Sequence, residues 1–253
     1  MKKSFGKKDY VIIFSYILVF LAGLLFPRNI YYSETQELPI LHLSNPFVLK
    51  SSFSVVAVNN AGFGSVGNIS VEILAGSGRV LLNTNPFVET DTQVSVEIAK
   101  QVAESVCGYS LNDKDIIVTF DIDGVVVGGH SAGAATAVTI IAAVLEKELN
   151  DSVALTGTID FNGNVGNIDG LIGKAQAVGE AGKELFLIPK GQNNITYYER
   201  EVVEEEILSG FVFRSFKYVP KFFDLNNYTQ AEWNLTVVEV SNISEVLFYI
   251  LNS

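Results

Sequence analysis

Residues 128–150 read GGHSAGAATAVTIIAAVLEKELN, and this stretch decides the fold. Two glycines and a serine open a segment that is apolar nearly all round until Glu146. A helix with no polar face belongs in a protein interior, so the pattern predicts a helix over about 132–149 with its first three turns buried. Just upstream, Asp115–Val127 alternates apolar and polar residues and then turns wholly apolar, as a strand running into a core does. Downstream, Val153–Phe161 is a second strand and Asn162–Gly166 a turn. A helix over Gly170–Gly182 follows, then a strand over Glu184–Ile188 that Pro189 ends. Strands and helices in alternation imply an α+β or α/β domain.

Further out, Ser54–Asn60 and Asn68–Leu74 are predicted strands joined by AGFGSVG, and Gly76–Leu82 is a third. Val94, Ile98, Val102 and Val106 recur every four residues, the stripe of an amphipathic helix with Asp91 as N-cap and Gly108 as its stop. Tyr197–Leu208 is read as a helix with a solvated, glutamate-rich face, and Trp233–Val240 as the last strand. Asn242 and Glu245 form a capping box that opens a final helix, Ser244–Leu251.

With 253 residues and 48% hydrophobic composition, the chain can bury a core. Its 17 basic against 28 acidic side chains, net −11, speak against a nucleic-acid partner, whose footprint is basic. A single cysteine, Cys107, excludes an internal disulfide framework, and His42 with His130 leaves little for a metal site. No cofactor or metal is expected, and the chemistry falls to carboxylates, hydroxyls and lysines.

Tyr10–Phe26 is a run of 17 residues without a charge, preceded by Lys2, Lys3, Lys7 and Lys8. That length is at the short end of a bilayer span, and the flanking charges keep the N-terminus cytoplasmic. A cleaved signal peptide is the competing reading, but Leu24-Leu25-Phe26-Pro27 offers no small-x-small cleavage site. The expected organisation is a cytoplasmic basic tail (1–9), a transmembrane anchor (10–26), a polar tether (27–52) and an extracytoplasmic domain (53–253). Six Asn-x-Ser/Thr sequons, the first at Asn68, suit an external location.

Two residues stand out as candidates for chemistry. Ser131 lies where the glycine-containing turn enters the buried helix, beside backbone N–H groups that have no helical partner. That is the setting of a nucleophilic hydroxyl next to oxyanion donors, and equally of an ordinary small residue at a tight helix start. Lys174 stands at the edge of the apolar stripe of the 170–182 helix, between Leu171 and Val178. There it is either a lysine that desolvation makes neutral and basic, or one that snorkels to water. Lys183 projects from the other side and is expected in solvent. His130 would have to fold back to serve its neighbour, and His42 falls in the tether.

From Val126 to Lys190 the chain resembles the proteolytic domain of the Lon family of Ser-Lys peptidases. The resemblance rests on GGHSAGAATA around Ser131, LTGTID at 155–160, NGNVGNIDGLIGKAQAVGEAG at 162–182 and LFLIPKGQN at 185–193. The 43-residue separation of Ser131 and Lys174 is also the family's spacing of nucleophile and base. VEVSNISEVLFYILN resembles the family's last strand and helix, so the likeness extends over about 53–253, with 194–232 as an insertion. It implies the Lon proteolytic fold, Ser131 as nucleophile, Lys174 as general base and Thr156 as the hydroxyl that holds the lysine. It further implies polypeptide substrates and a homo-oligomer, since the family's domains assemble as rings.

The chain departs from the family in three respects. It carries no GxxxxGK[ST] phosphate loop, His130 precedes the serine, and Gly128-Gly129 replaces an upstream acid. It is most similar to membrane-attached, ATPase-free Lon-like proteases of archaea, which implies an ATP-independent serine endopeptidase. Two other readings stand beside it. One is a small-molecule kinase with a Gly/Ser-rich phosphate loop, which leaves Lys174 without a role. The other is a non-catalytic, membrane-anchored interaction module.

Overall fold

The structure, a computed structural model, describes residues 48–83, 85–123, 126–208 and 211–251. The expected tail, anchor and most of the tether lie outside them. Among the described residues no helix is long and apolar enough to cross a membrane.

The fold is built on one mixed sheet. Strand β1 (Leu49–Val58) pairs antiparallel with β2 (Gly64–Ala75), which pairs antiparallel with β5 (Lys114–Asp121). The short β3 (Val80–Leu82) closes that edge parallel to β5, so the strand expected from Gly76 starts later, after a turn. On the other side of β1 lie β7 (Val153–Leu155), β10 (Leu185–Pro189) and β13 (Thr236–Val240), all parallel. The order across the sheet is β13-β10-β7-β1-β2-β5-β3. Two two-stranded pairs flank the site, β4 (Phe87–Val88) with β6 (Val126–Val127) and β8 (Thr158–Ile159) with β9 (Val165–Gly166).

Because strand side chains alternate sides, consecutive residues feed two separate cores. Val55, Leu155 and Leu187 enter the first core, while Val56, Ala154 and Phe186 enter the second. Helices α1 (Thr90–Cys107), α2 (Gly133–Leu145) and α5 (Ile243–Leu251) cover the first face. Helices α3 (Leu171–Glu180) and α4 (Leu225–Trp233) cover the second. The expected α+β domain is therefore a sheet with helices on both faces.

Helix α2 is buried from Gly133 to Ala143, as its lack of a polar face demands, and ends at Glu146 in the left-handed conformation. Its Thr136 and Thr139 hydroxyls donate to the carbonyls four residues back, at 2.9 and 2.7 Å, which satisfies them inside the core. In α1 the buried stripe is Thr92, Ser95, Val96, Ala99, Val102 and Ala103, while Val94 and Val106 are exposed. A strict spacing of four drifts by about 40° per step on a helix of 3.6 residues per turn, so the expected Val94–Val106 stripe turned out of the core at both ends. Half of the expected capping box forms: Asn242 Oδ1 accepts from the Glu245 N–H at 3.0 Å, while Glu245 Oε2 accepts at 2.6 Å from the N–H of Ser241, one residue before the cap.

The stretch expected as a helix over Tyr197–Leu208 is a strand. It forms β11 (Asn194–Leu208), paired antiparallel along its length with β12 (Phe211–Asp224) in a separate ribbon. The glutamates favour a helix only weakly, and cross-strand partners outweigh that preference.

Glycines set how closely α3 approaches the sheet. A Cβ on Gly173 would fall 2.1 Å from the Gly62 carbonyl oxygen, and one on Gly64 would fall 2.1 Å from the Gly173 carbonyl oxygen. Gly173→Ala is therefore expected to destabilise the fold by about 1–3 kcal/mol. On the exposed side of the same helix, Gln176→Ala should stay within about 0.5 kcal/mol. Urea denaturation of both variants checks the contrast, and equal stabilities would refute the close approach.

Candidate active site

Ser131 sits in a short 3-10 turn, His130–Ala132, at the entrance to α2. Gly129 ahead of it has φ +87°, a backbone conformation that side chains rarely adopt. Gly128 lies beside the Glu89 carboxylate, the mobile end of an exposed side chain.

Three side chains from the start of α1 hold this turn. The Gly129 N–H donates to Asp91 Oδ2 at 2.9 Å. Thr92 Oγ1 donates to the Gly129 carbonyl at 3.0 Å, and Ser95 Oγ to the His130 carbonyl at 3.2 Å. Asp91 is thus not the N-cap that its position implies; Glu89 occupies that place, with no side-chain cap bond. Sequence reasoning missed this clamp. Its signal was the pair of hydroxyls, Thr92 and Ser95, lying on the buried stripe of α1.

From the other side the turn is held by the segment that follows β7. The Gly157 N–H donates to the Ser131 carbonyl at 2.9 Å, and the Ala134 N–H to the Gly157 carbonyl at 3.1 Å. Thr156 is fully buried at the carboxyl end of β7, its N–H bonded to the Leu187 carbonyl at 3.1 Å. Its hydroxyl donates to the Ser131 carbonyl at 3.4 Å and accepts from Lys174 Nζ at 3.2 Å.

Lys174 lies in the first turn of α3 and is only 2% exposed. Burial is the dominant influence on its amine and pushes the pKa from an ordinary 10.5 down to about 8, while the negative charge of Asp169 pulls weakly the other way. Ser131, His130 and Lys174 line one cavity of about 890 Å³, together with Glu89, Asp123 and Asp169. Lys174 Nζ and Ser131 Oγ do not bond each other, so Thr156 is the link between the two. The structure thus brings together Ser131 from the turn before α2, Lys174 from α3 and Thr156 from just after β7.

Other expectations fare differently. Lys183, expected in solvent, donates to Ser54 Oγ at 2.8 Å and to the Asp151 carbonyl. His130 is exposed on the cavity wall, and His42 lies outside the described residues. Among the described residues, no three His, Cys, Asp or Glu side chains form a group suited to a metal ion.

The family model of the Lon protease (S16) C-terminal proteolytic domain matches residues 56–219. The archaeal Lon protease of Methanocaldococcus jannaschii is 32% identical over 196 residues, covering 71% of this chain and 28% of the relative. Lon protease 2 of Bacillus subtilis is 30% identical over 147 residues, 53% of this chain and 26% of the relative. The archaeal Lon protease of Methanothermobacter thermautotrophicus is 35% identical over 102 residues, 37% of this chain and 16% of the relative. The match to each thus spans under a third of the relative's length.

The buried amine has a consequence for stability. Between pH 8 and 10.5 the unfolded chain binds a proton that the folded chain has released, so this group makes stability rise with pH across that window. Below pH 8 the cost of holding the charged amine is fully present, about 3 kcal/mol. Lys174→Met is therefore expected to raise the melting temperature at pH 7, with a gain that shrinks toward pH 10. Thermal unfolding at both pH values tests this, and a variant destabilised equally at each would rule out desolvation as the cause.

Proposed function

We propose a reaction for this chain on one premise: it belongs to the Lon protease C-terminal proteolytic-domain family, whose members are serine endopeptidases. The reading is an ATP-independent serine endopeptidase, tethered to the membrane through residues 10–26 and acting outside the cytoplasm on unfolded or loosely structured polypeptides. One observation carries the chemistry: a buried lysine with a lowered pKa, steered by Thr156 into the cavity that holds Ser131.

In this mechanism neutral Lys174 takes the Ser131 hydroxyl proton as Oγ attacks a peptide carbonyl carbon. A neutral amine that donates one hydrogen to Thr156 keeps its lone pair for that proton. The tetrahedral oxyanion is received by backbone N–H groups at the turn. Asp91 already occupies the Gly129 N–H, which leaves the His130 and Ser131 N–H groups, ahead of the first bond within the turn, as the donors. The intermediate collapses as Nζ returns the proton to the leaving amine, which forms an ester on Ser131. Lys174 then deprotonates a water that attacks the ester, and as the second tetrahedral intermediate collapses Nζ returns that proton to Ser131 Oγ, which releases the carboxylic acid and restores the neutral amine.

Action without nucleotide is part of the proposal through the resemblance to ATPase-free Lon-like proteases. The uncharged Tyr10–Phe26 run behind four lysines supports the tether and the outward orientation. A homo-oligomer is part of the proposal by analogy with the family.

Hydrolysis of unfolded casein by residues 30–253, without nucleotide, is the direct test. Ser131→Ala and Lys174→Ala should each lower kcat by at least about a thousandfold while remaining folded. The rate should rise with pH through about 8 as Lys174 loses its proton, and Asp169→Asn should move that rise to lower pH by removing the charge that favours the ammonium. Activity that survives Lys174→Ala would rule out the assigned base. For the tether, the full chain should sediment with membranes and stay there in alkaline carbonate, whereas residues 30–253 should be released.

A further inference from the structure

Ribbon β11–β12 has two unlike faces. The register sets Thr196 opposite Phe222, Arg200 opposite Tyr218 and Val202 opposite Phe216, with Tyr198 on the same side. That face exposes Phe222 at 77%, Tyr198 at 67%, Tyr218 at 64% and Phe216 at 57%. The opposite face is mixed: it carries the paired Glu201 and Lys217, with Lys221 bridging to Glu199 and Glu201, and two separated exposed rings, Tyr197 and Phe213. At the root of that opposite face, Ile195 and Phe223 pack onto the second core, which anchors the ribbon and leaves the aromatic face uncovered. Among the described residues β11 and β12 pair only with each other, so among these residues each has an outer edge of backbone donors and acceptors with no strand beside it.

The ribbon is continuous with the cavity at Ser131. A neighbouring groove of about 690 Å³ shares Phe63, Asn167, Ile168 and Asp169 with that cavity and runs to Asn194 and Ile195, where β11 begins. Asn194 stands on the aromatic face, and the next row on that face is Thr196 with Phe222. An extended chain leaving the groove at Asn194 therefore meets the first exposed ring two residues on, about 7 Å away.

We propose that the aromatic face of the β11–β12 ribbon docks the unfolded polypeptide substrate, holding one apolar stretch while a neighbouring stretch lies in the groove that leads to Ser131. The inference rests on the endopeptidase reading and adds a substrate-holding surface to it. Aromatic rings suit an unfolded chain because they bury large apolar area with little demand on its sequence, and the open edge can add an extended strand. The ribbon's glutamates argue against an anionic lipid surface as the occupant.

The test uses the full chain and the triple variant Tyr198→Thr, Tyr218→Thr, Phe222→Thr, which removes exposed rings and keeps residues that favour strands. The substrates are casein and a fluorogenic hexapeptide, which spans only about 20 Å and cannot occupy the site and the ribbon together. The variant should raise KM for casein at least about tenfold, a loss of about 1.4 kcal/mol, and leave hexapeptide turnover within about twofold. In a Ser131→Ala background, anisotropy of labelled casein should show the same tenfold loss in affinity. Unchanged casein KM and affinity would overturn the proposal, as would an equal loss on both substrates accompanied by dissociation of an oligomer, which would make the ribbon a contact between copies. Loss of binding to phosphatidylcholine vesicles with casein affinity intact would assign it to the membrane instead. Casein that binds through the ribbon but is never cleaved would leave the docking surface standing and remove the endopeptidase reading.

Discussion

The site depends on keeping one amine out of water. Lys174 is charged in almost any exposed position, and only burial brings its pKa to about 8, where a useful fraction is neutral. Burial in turn requires α3 to lie very close to the β1–β2 turn. Gly64 and Gly173 permit that approach because each faces a backbone carbonyl where no side chain fits. Thr156 then gives the amine a partner of fixed position, and the same hydroxyl reaches the Ser131 carbonyl. Helix packing, pKa and the placing of the pair are one arrangement seen at three scales.

The serine is held as firmly as the lysine, but by backbone geometry. Gly129 bends the chain at a positive φ, and Asp91, Thr92 and Ser95 saturate the N–H and carbonyls around it. Below, Gly157 bonds the Ser131 carbonyl itself. A turn gripped from α1 on one side and from the end of β7 on the other has little freedom, which suits a site whose oxyanion donors must be in place before charge develops. The carboxylates of Glu89, Asp123 and Asp169 line the same cavity.

Much of this was legible along the chain. Helix α2 announced itself because a segment without a polar face has only the interior to occupy, and β5, β10 and α3 were legible in outline, whereas the single strand expected over Val153–Phe161 is divided into β7 and β8. The resemblance carried Ser131, Lys174 and Thr156 to within hydrogen-bond linkage of one another. The misreadings share a cause. In Tyr197–Leu208 the glutamates mimic a helical face, while the residues that make the stretch a strand, such as Phe216 opposite Val202, lie on another segment. The Val94–Val106 stripe failed because spacing alone does not say where on a helix the neighbouring elements will press.

Composition, periodicity and local motifs by themselves determined an acidic chain with a buried α2, an α+β domain and an uncharged N-terminal run, while the Ser131–Lys174 separation took its meaning from the family resemblance. These are properties of short stretches, and short stretches set them. Tertiary structure alone decided that Lys174 is buried rather than snorkelling, that Asp91 reaches across to Gly129 instead of capping its own helix, and that a glutamate-rich segment becomes a ribbon. Each of those outcomes turns on a partner many residues away, and desolvation, hydrogen bonding and strand pairing act on neighbours in space, whatever their distance along the chain.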